Sequence, residues 1–221
     1  MILHLIYKEW LKTRWFALIA LVAGVAAVVG ILAGVASGVR ADAPFFFYQV
    51  IVGKVRFFDL FRFVPLLAAV LIGCSQFLPE VTDKRIKLSL HLPMSPTVVI
   101  YSMVLYGFVL LTLLVGICLA LFVGLGFVWL PGEILVPALK TMLVWVLGGM
   151  TAYFWIAMMA FEPVGRYRFG YFIVAGLLVS VFMRRYPIGG VDVLLEIFAG
   201  LTLVSSFSVL FTAYRFNKGI L

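Results

Sequence analysis

The chain has 221 residues, 65% of them hydrophobic and 12% charged, with a mean hydropathy of +1.21. An ordinary soluble domain is about half apolar and about a quarter charged, so this composition excludes a soluble enzyme and points to a polytopic membrane protein. No polar stretch is long enough to build a separate soluble core, so any catalytic domain belongs to another chain. The formal net charge of +8 suits attraction to anionic headgroups and calls for no nucleic-acid partner.

Residues 1–15 form an N-terminal segment that Lys8, Glu9, Lys12 and Arg14 set apart from the first apolar run. At 100° per residue, Ile2, Leu3, Ile6 and Trp10 gather on one side and His4, Lys8 and Lys12 on another, which predicts an interfacial helix with Trp10 at headgroup depth. It serves either as a plain positive anchor that fixes orientation or as a functional element.

A helix crosses the hydrocarbon in about 20 residues, and six uncharged runs near that length divide residues 16–221. The first is Phe16–Val39, a retained span despite the cleavage-like Ala41-Asp42-Ala43 that follows. Gly30, Gly34 and Gly38 recur on one of its faces and predict close approach of another helix, from this chain or a second subunit. An aromatic and basic stretch follows from Pro44 to Arg62 and is expected to lie in the interface. The second run, Phe63–Leu78, is short unless its helix starts nearer Phe57. The third, Thr97–Leu130, covers roughly 50 Å as one helix, loosening at Gly124 and Gly126 before the Pro131-Gly132 turn. The remaining runs are about Pro137–Phe161, Phe169–Met183 and Val191–Tyr214.

With the N-terminus inside, ten of the seventeen lysines and arginines fall on the cytoplasmic side, which favours cytoplasmic N- and C-termini. On the outer side, Asp192 and Glu196 share a helical face near Lys140. A Lys140–Glu196 pair would form an outer gate; alternatively all three only mark the interface, and Arg184 and Arg185 are other candidate partners.

No chemistry-bearing motif emerges. Cys74 and Cys118 lie singly inside spans, His4 and His91 have no ligand spacing, and no phosphate-binding Gly-x-x-x-x-Gly-Lys-[Ser/Thr] occurs. The expectation is a non-enzymatic chain with no catalytic residue, no metal and no cofactor of its own.

The loop over residues 79–96 differs from the other connections. Five charges fall between Glu80 and Lys87, followed by alternating leucines that would continue a short helix to Leu92; Pro93 would end it, with Ser95 and Pro96 starting the third span. Acid, base and apolar groups together suit docking against another protein.

The N-terminal amphipathic helix, six spans, and Glu80-x-x-x-x-Arg85 leading to Leu92-Pro93-x-Ser95 resemble the permease subunits of type-2 ATP-binding-cassette (ABC) exporters. The resemblance implies an all-α membrane domain with an elbow helix at 1–15 and a coupling helix at 79–96. It further implies that Glu80, Asp83, Lys84, Arg85 and Lys87 form the surface engaging a cytoplasmic ATPase subunit, which holds ATP and Mg. A second permease copy and membrane lipids are the other implied partners, and the plasma (bacterial inner) membrane the implied location. The competing reading is a non-transporting anchor that uses the same loop to hold a cytoplasmic protein.

Overall fold

The computed structural model describes residues 2–82, 96–162, 164–186 and 189–218. Those residues form six α-helices and one short 3-10 helix, with no strand among them. The helices are α1 (Ile2–Ile51), α2 (Phe63–Thr82, preceded by the 3-10 turn Asp59–Arg62), α3 (Pro96–Gly126), α4 (Gly132–Phe161), α5 (Gly165–Phe182) and α6 (Asp192–Lys218).

Among the described residues, five helical stretches are long and apolar enough to cross a membrane: 3–51, 59–81, 98–126, 132–161 and 192–209. The chain is therefore a membrane-embedded helical bundle. Where six spans were expected, the fifth, 169–183, is an 18-residue helix that falls short of the other five because Arg166 and Arg168 occupy its first turn. The second α-helix starts at Phe63, as the uncharged run places it, and the 3-10 turn Asp59–Arg62 in front of it lengthens the apolar stretch to 59–81. The fourth starts at Gly132, five residues before the expected Pro137, because Pro131 in extended conformation directs the chain straight into the helix.

The expected break between residues 15 and 16 is absent, and α1 continues through it as helix. At 50 residues it would measure about 75 Å if straight, far more than the hydrocarbon thickness. It is interrupted instead at Asp42, whose backbone is extended (φ −159°, ψ 92°). Asp42 Oδ1 accepts the Phe45 N–H at 3.1 Å, an N-cap for the helical piece that follows, and Pro44 sits in that piece's first turn. The cleavage-like tripeptide is thus a helix restart.

Helix α4 is the centre of the bundle. It packs against α2, α3, α5 and α6 and buries Met142, Trp145, Tyr153, Ala157 and Phe161. A Cβ on Gly149 would stand 2.7 Å from the Pro65 carbonyl oxygen, so glycine is what allows α2 and α4 to approach backbone to backbone. Helix α1 runs along α2 and α3, whereas α5 packs chiefly on α4. The aromatic stretch expected in the interface is divided: Phe45 and Tyr48 are exposed, but Phe58 and Phe61 are completely buried, with the Phe58 ring 5.7 Å from that of Trp145. The 3-10 turn carries them inward, because it enters the bundle rather than running across its end.

Candidate functional site

At the end of the bundle where α2 finishes and α3 begins, α1 carries Lys8, Glu9, Lys12 and Thr13, one helical turn apart in pairs, so that they share the face turned toward the other helices. Glu9 and Thr13 are fully buried there. The apolar residues Leu3, Tyr7 and Leu11 are exposed, as are Trp10 and Trp15. Leu3, Ile6 and Trp10 stay exposed, as a lipid-facing side would be, and so does His4, whereas Lys8 and Lys12, expected on the polar side, are turned toward α2. The physical reason is a counter-charge on α2.

That counter-charge is Glu80, in the last turn of α2 and 1% exposed. Its Oε1 lies 2.8 Å from both Lys8 Nζ and Lys12 Nζ. Lys12 Nζ also lies 2.6 Å from Glu9 Oε1, and among the described residues neither Glu9 Oε2 nor Glu80 Oε2 has a hydrogen-bond partner. Two carboxylates and two ammonium groups therefore form a formally neutral cluster, most of it out of contact with water. Lys12 bridges the two acids. Removing a cation from such a group leaves a buried charge uncompensated, which costs far more than an exposed pair contributes.

A second polar layer continues inward from the cluster. Thr13 Oγ1 donates to the Glu9 carbonyl at 3.0 Å and lies 2.9 Å from the Tyr106 hydroxyl on α3, which leaves Tyr106 as the donor in that contact. Gln76, fully buried on α2, donates from Nε2 to the Met103 carbonyl on α3 at 2.6 Å. The Tyr153 hydroxyl on α4 reaches both Gln76 Oε1 and the Val104 carbonyl at 3.0 Å and can donate to either. Gly107 creates the space: a Cβ there would collide with the Tyr153 hydroxyl and Gln76 Oε1. Four helices are connected through these side chains, each with a partner the bilayer cannot supply.

Of the residues expected to couple to a partner, Glu80 is therefore held inside the chain, facing α1, while Asp83, Lys84, Arg85 and Lys87 lie outside the described residues. Of the expected elbow residues, Lys8 and Lys12 face Glu80, and Trp10 is 45% exposed. At the opposite end of the bundle Lys140 Nζ pairs with Asp192 Oδ1 at 2.6 Å, not with Glu196; Asp192 opens α6 level with Lys140, and Glu196 is exposed. Arg185 contacts Asp59 at 3.3 Å, and Arg56 holds the same carboxylate at 3.1 Å. Of the glycine stripe, Gly38 accommodates the Phe46 ring, whereas a Cβ on Gly30 or Gly34 would meet no other part of the described residues within 4 Å. The close approach of α1 to its neighbours occurs at Gly24, against Cys118 and Val64.

Sequence reasoning missed Glu9, Thr13, Gln76, Tyr106, Gly107 and Tyr153. An amide and tyrosines inside apolar runs were the available signal, since buried polar groups in spans need partners. No group of three or more metal-ligating side chains occurs among the described residues.

Compared with protein-family models, curated proteins and solved structures, the chain matches none.

Proposed function

We propose that this chain is the permease subunit of a type-2 ABC exporter, moving a substrate across the plasma membrane with energy from ATP hydrolysed on a separate subunit. In this reading the N- and C-termini are cytoplasmic, residues 1–15 act as the elbow helix, and the ATPase docks on the loop at 79–96. Two permease copies and two ATPases make the working unit.

The supporting observation is the clamp on Glu80. The loop leaves α2 two residues after Glu80, and that carboxylate is held by Lys8 and Lys12 of α1 while Gln76, one turn earlier, is tied to α3 and α4. A push on the loop is delivered to three other helices at once through buried polar contacts. A simple anchor needs no such linkage, because holding a partner requires only the loop surface.

The test is purification of the tagged protein from its native membranes, wild type beside a variant carrying Asp83→Lys, Lys84→Glu and Arg85→Glu. The wild type is expected to bring down a phosphate-loop ATPase and vanadate-sensitive ATP hydrolysis, and the variant to lose both. Hydrolysis that is absent from the wild-type sample, or equal in both, refutes the reading.

A further inference from the structure

Two connections meet at the end of the bundle away from Glu80: residues 52–62, which join α1 to α2, and the connection from α5 to α6. Three arginines gather there around a single carboxylate. Asp59 meets Arg56 Nε through Oδ1 at 3.1 Å and Arg185 Nε through Oδ2 at 3.3 Å, so each connection supplies a cation to one of its oxygens. Arg56 Nη1 donates to the Tyr186 carbonyl at 3.2 Å, and the Arg184 carbonyl accepts the Trp145 indole N–H at 3.3 Å, which fixes this backbone to α4. We propose that the cluster binds a phosphate group, carried by a lipid headgroup or free in solution.

Three observations carry this. First, the cluster is short of negative charge. Arg56, Arg184 and Arg185 stand against Asp59 alone, and Arg184 lies near enough to Tyr186 for its charge to oppose the rise that burial imposes on that hydroxyl. The other charged residues of this end, four basic and four acidic, balance one another, with Lys140 paired to Asp192. The formal excess of two positive charges therefore belongs to this cluster.

Second, donors are left over. Among the described residues, neither the Arg184 guanidinium nor the terminal nitrogens of Arg185 form a hydrogen bond, and both side chains are exposed. A guanidinium presents forked donors that match two oxygens of a phosphate at once. Arg56, tied to Asp59 and to the Tyr186 carbonyl, holds the two connections together beneath them.

Third, the cluster lies where phosphates are found. Leu60 and Phe63, on either side of the 3-10 turn's Phe61, are about half exposed, and the Arg62 guanidinium sits 4.4 Å over the Phe63 ring. Lipid-facing apolar side chains interleaved with arginines mark the boundary between acyl chains and headgroups.

This site is distinct from the Glu80 cluster and holds whether or not an ATPase docks.

The experiment titrates the full chain, purified in dodecyl maltoside at constant ionic strength in sodium chloride, with phosphatidylglycerol and separately with inorganic phosphate, and reads bound species by native mass spectrometry. Affinity for the probe that binds should fall about fivefold in Arg184→Gln and in Arg185→Gln, and about 25-fold in the double variant. Arg14→Gln, an exposed arginine at the other end of the bundle, should bind as the wild type does. If a glutamine variant does not accumulate, Arg185→Lys, which keeps the charge and loses the fork, should show a smaller loss in the same direction. Displacement of phosphatidylglycerol by inorganic phosphate, with the same dependence on the two arginines, assigns the site to free phosphate; arginine-dependent lipid binding that phosphate does not displace assigns it to the headgroup. Binding of neither probe by the wild type, unchanged binding in the Arg184 and Arg185 variants, or an equal loss in Arg14→Gln overturns the proposal.

Discussion

Lys12→Met is the sharpest perturbation of the buried cluster. Methionine keeps most of the side-chain volume, so the change removes charge and hydrogen bonding rather than packing. It deprives Glu9, which is fully buried, of the cation 2.6 Å away, and leaves Glu80 with Lys8 alone. Breaking a buried pair in this way costs about 3–5 kcal/mol. Lys8→Met should cost less, about 1 kcal/mol, because the Lys8 side chain is 37% exposed and Lys12 still holds Glu80. The diagnostic comparison is the double variant Lys12→Met with Glu9→Gln, which removes the stranded carboxylate together with its cation and should recover about 2 kcal/mol of the single loss. Reversible unfolding of the purified protein in mixed micelles, followed by far-ultraviolet circular dichroism across a denaturant series, measures all three. Equal cost for Lys8→Met and Lys12→Met, or a double variant no better than Lys12→Met alone, would refute the bridging role assigned to Lys12.

Gly107→Ala should displace the Tyr153 hydroxyl and cost about 1–3 kcal/mol in the same assay, and Tyr153→Phe should relieve the clash while leaving Gln76 Oε1 without that donor. Asp42→Ala should lower stability by about 1 kcal/mol through loss of the Phe45 N–H cap, seen as earlier proteolysis between residues 40 and 50. The Lys140–Asp192 pair, with side chains 45% and 66% exposed, should show a coupling below about 1 kcal/mol in a double-mutant cycle, falling further in high salt. A larger, salt-insensitive coupling there would favour a gate.

Composition and uncharged run lengths alone determined that this is a helical membrane protein, and roughly where each helix lies, because spanning a bilayer imposes a length and an apolar content that no local detail overrides. The start of α3 at Pro96 was legible because proline is tolerated in the first turn of a helix, whereas Pro131-Gly132, expected as a turn, opens α4 instead. Which face of a helix meets another was not legible. Leu3 and Trp10 are as acceptable to lipid as to a protein interior, so the pattern of residues 1–15 fitted a surface helix as well as an inserted one. Only the position of Glu80, brought beside Lys8 and Lys12 by the antiparallel return of α2, decided that these two lysines turn inward. The same holds for Gln76, Tyr106 and Tyr153: their place in apolar runs signals that they need partners, but which helices supply those partners is decided by the packing. A bilayer supplies no hydrogen bonds to correct a misplaced polar group, so those partnerships depend on how the helices pack, which is a property of the tertiary structure alone.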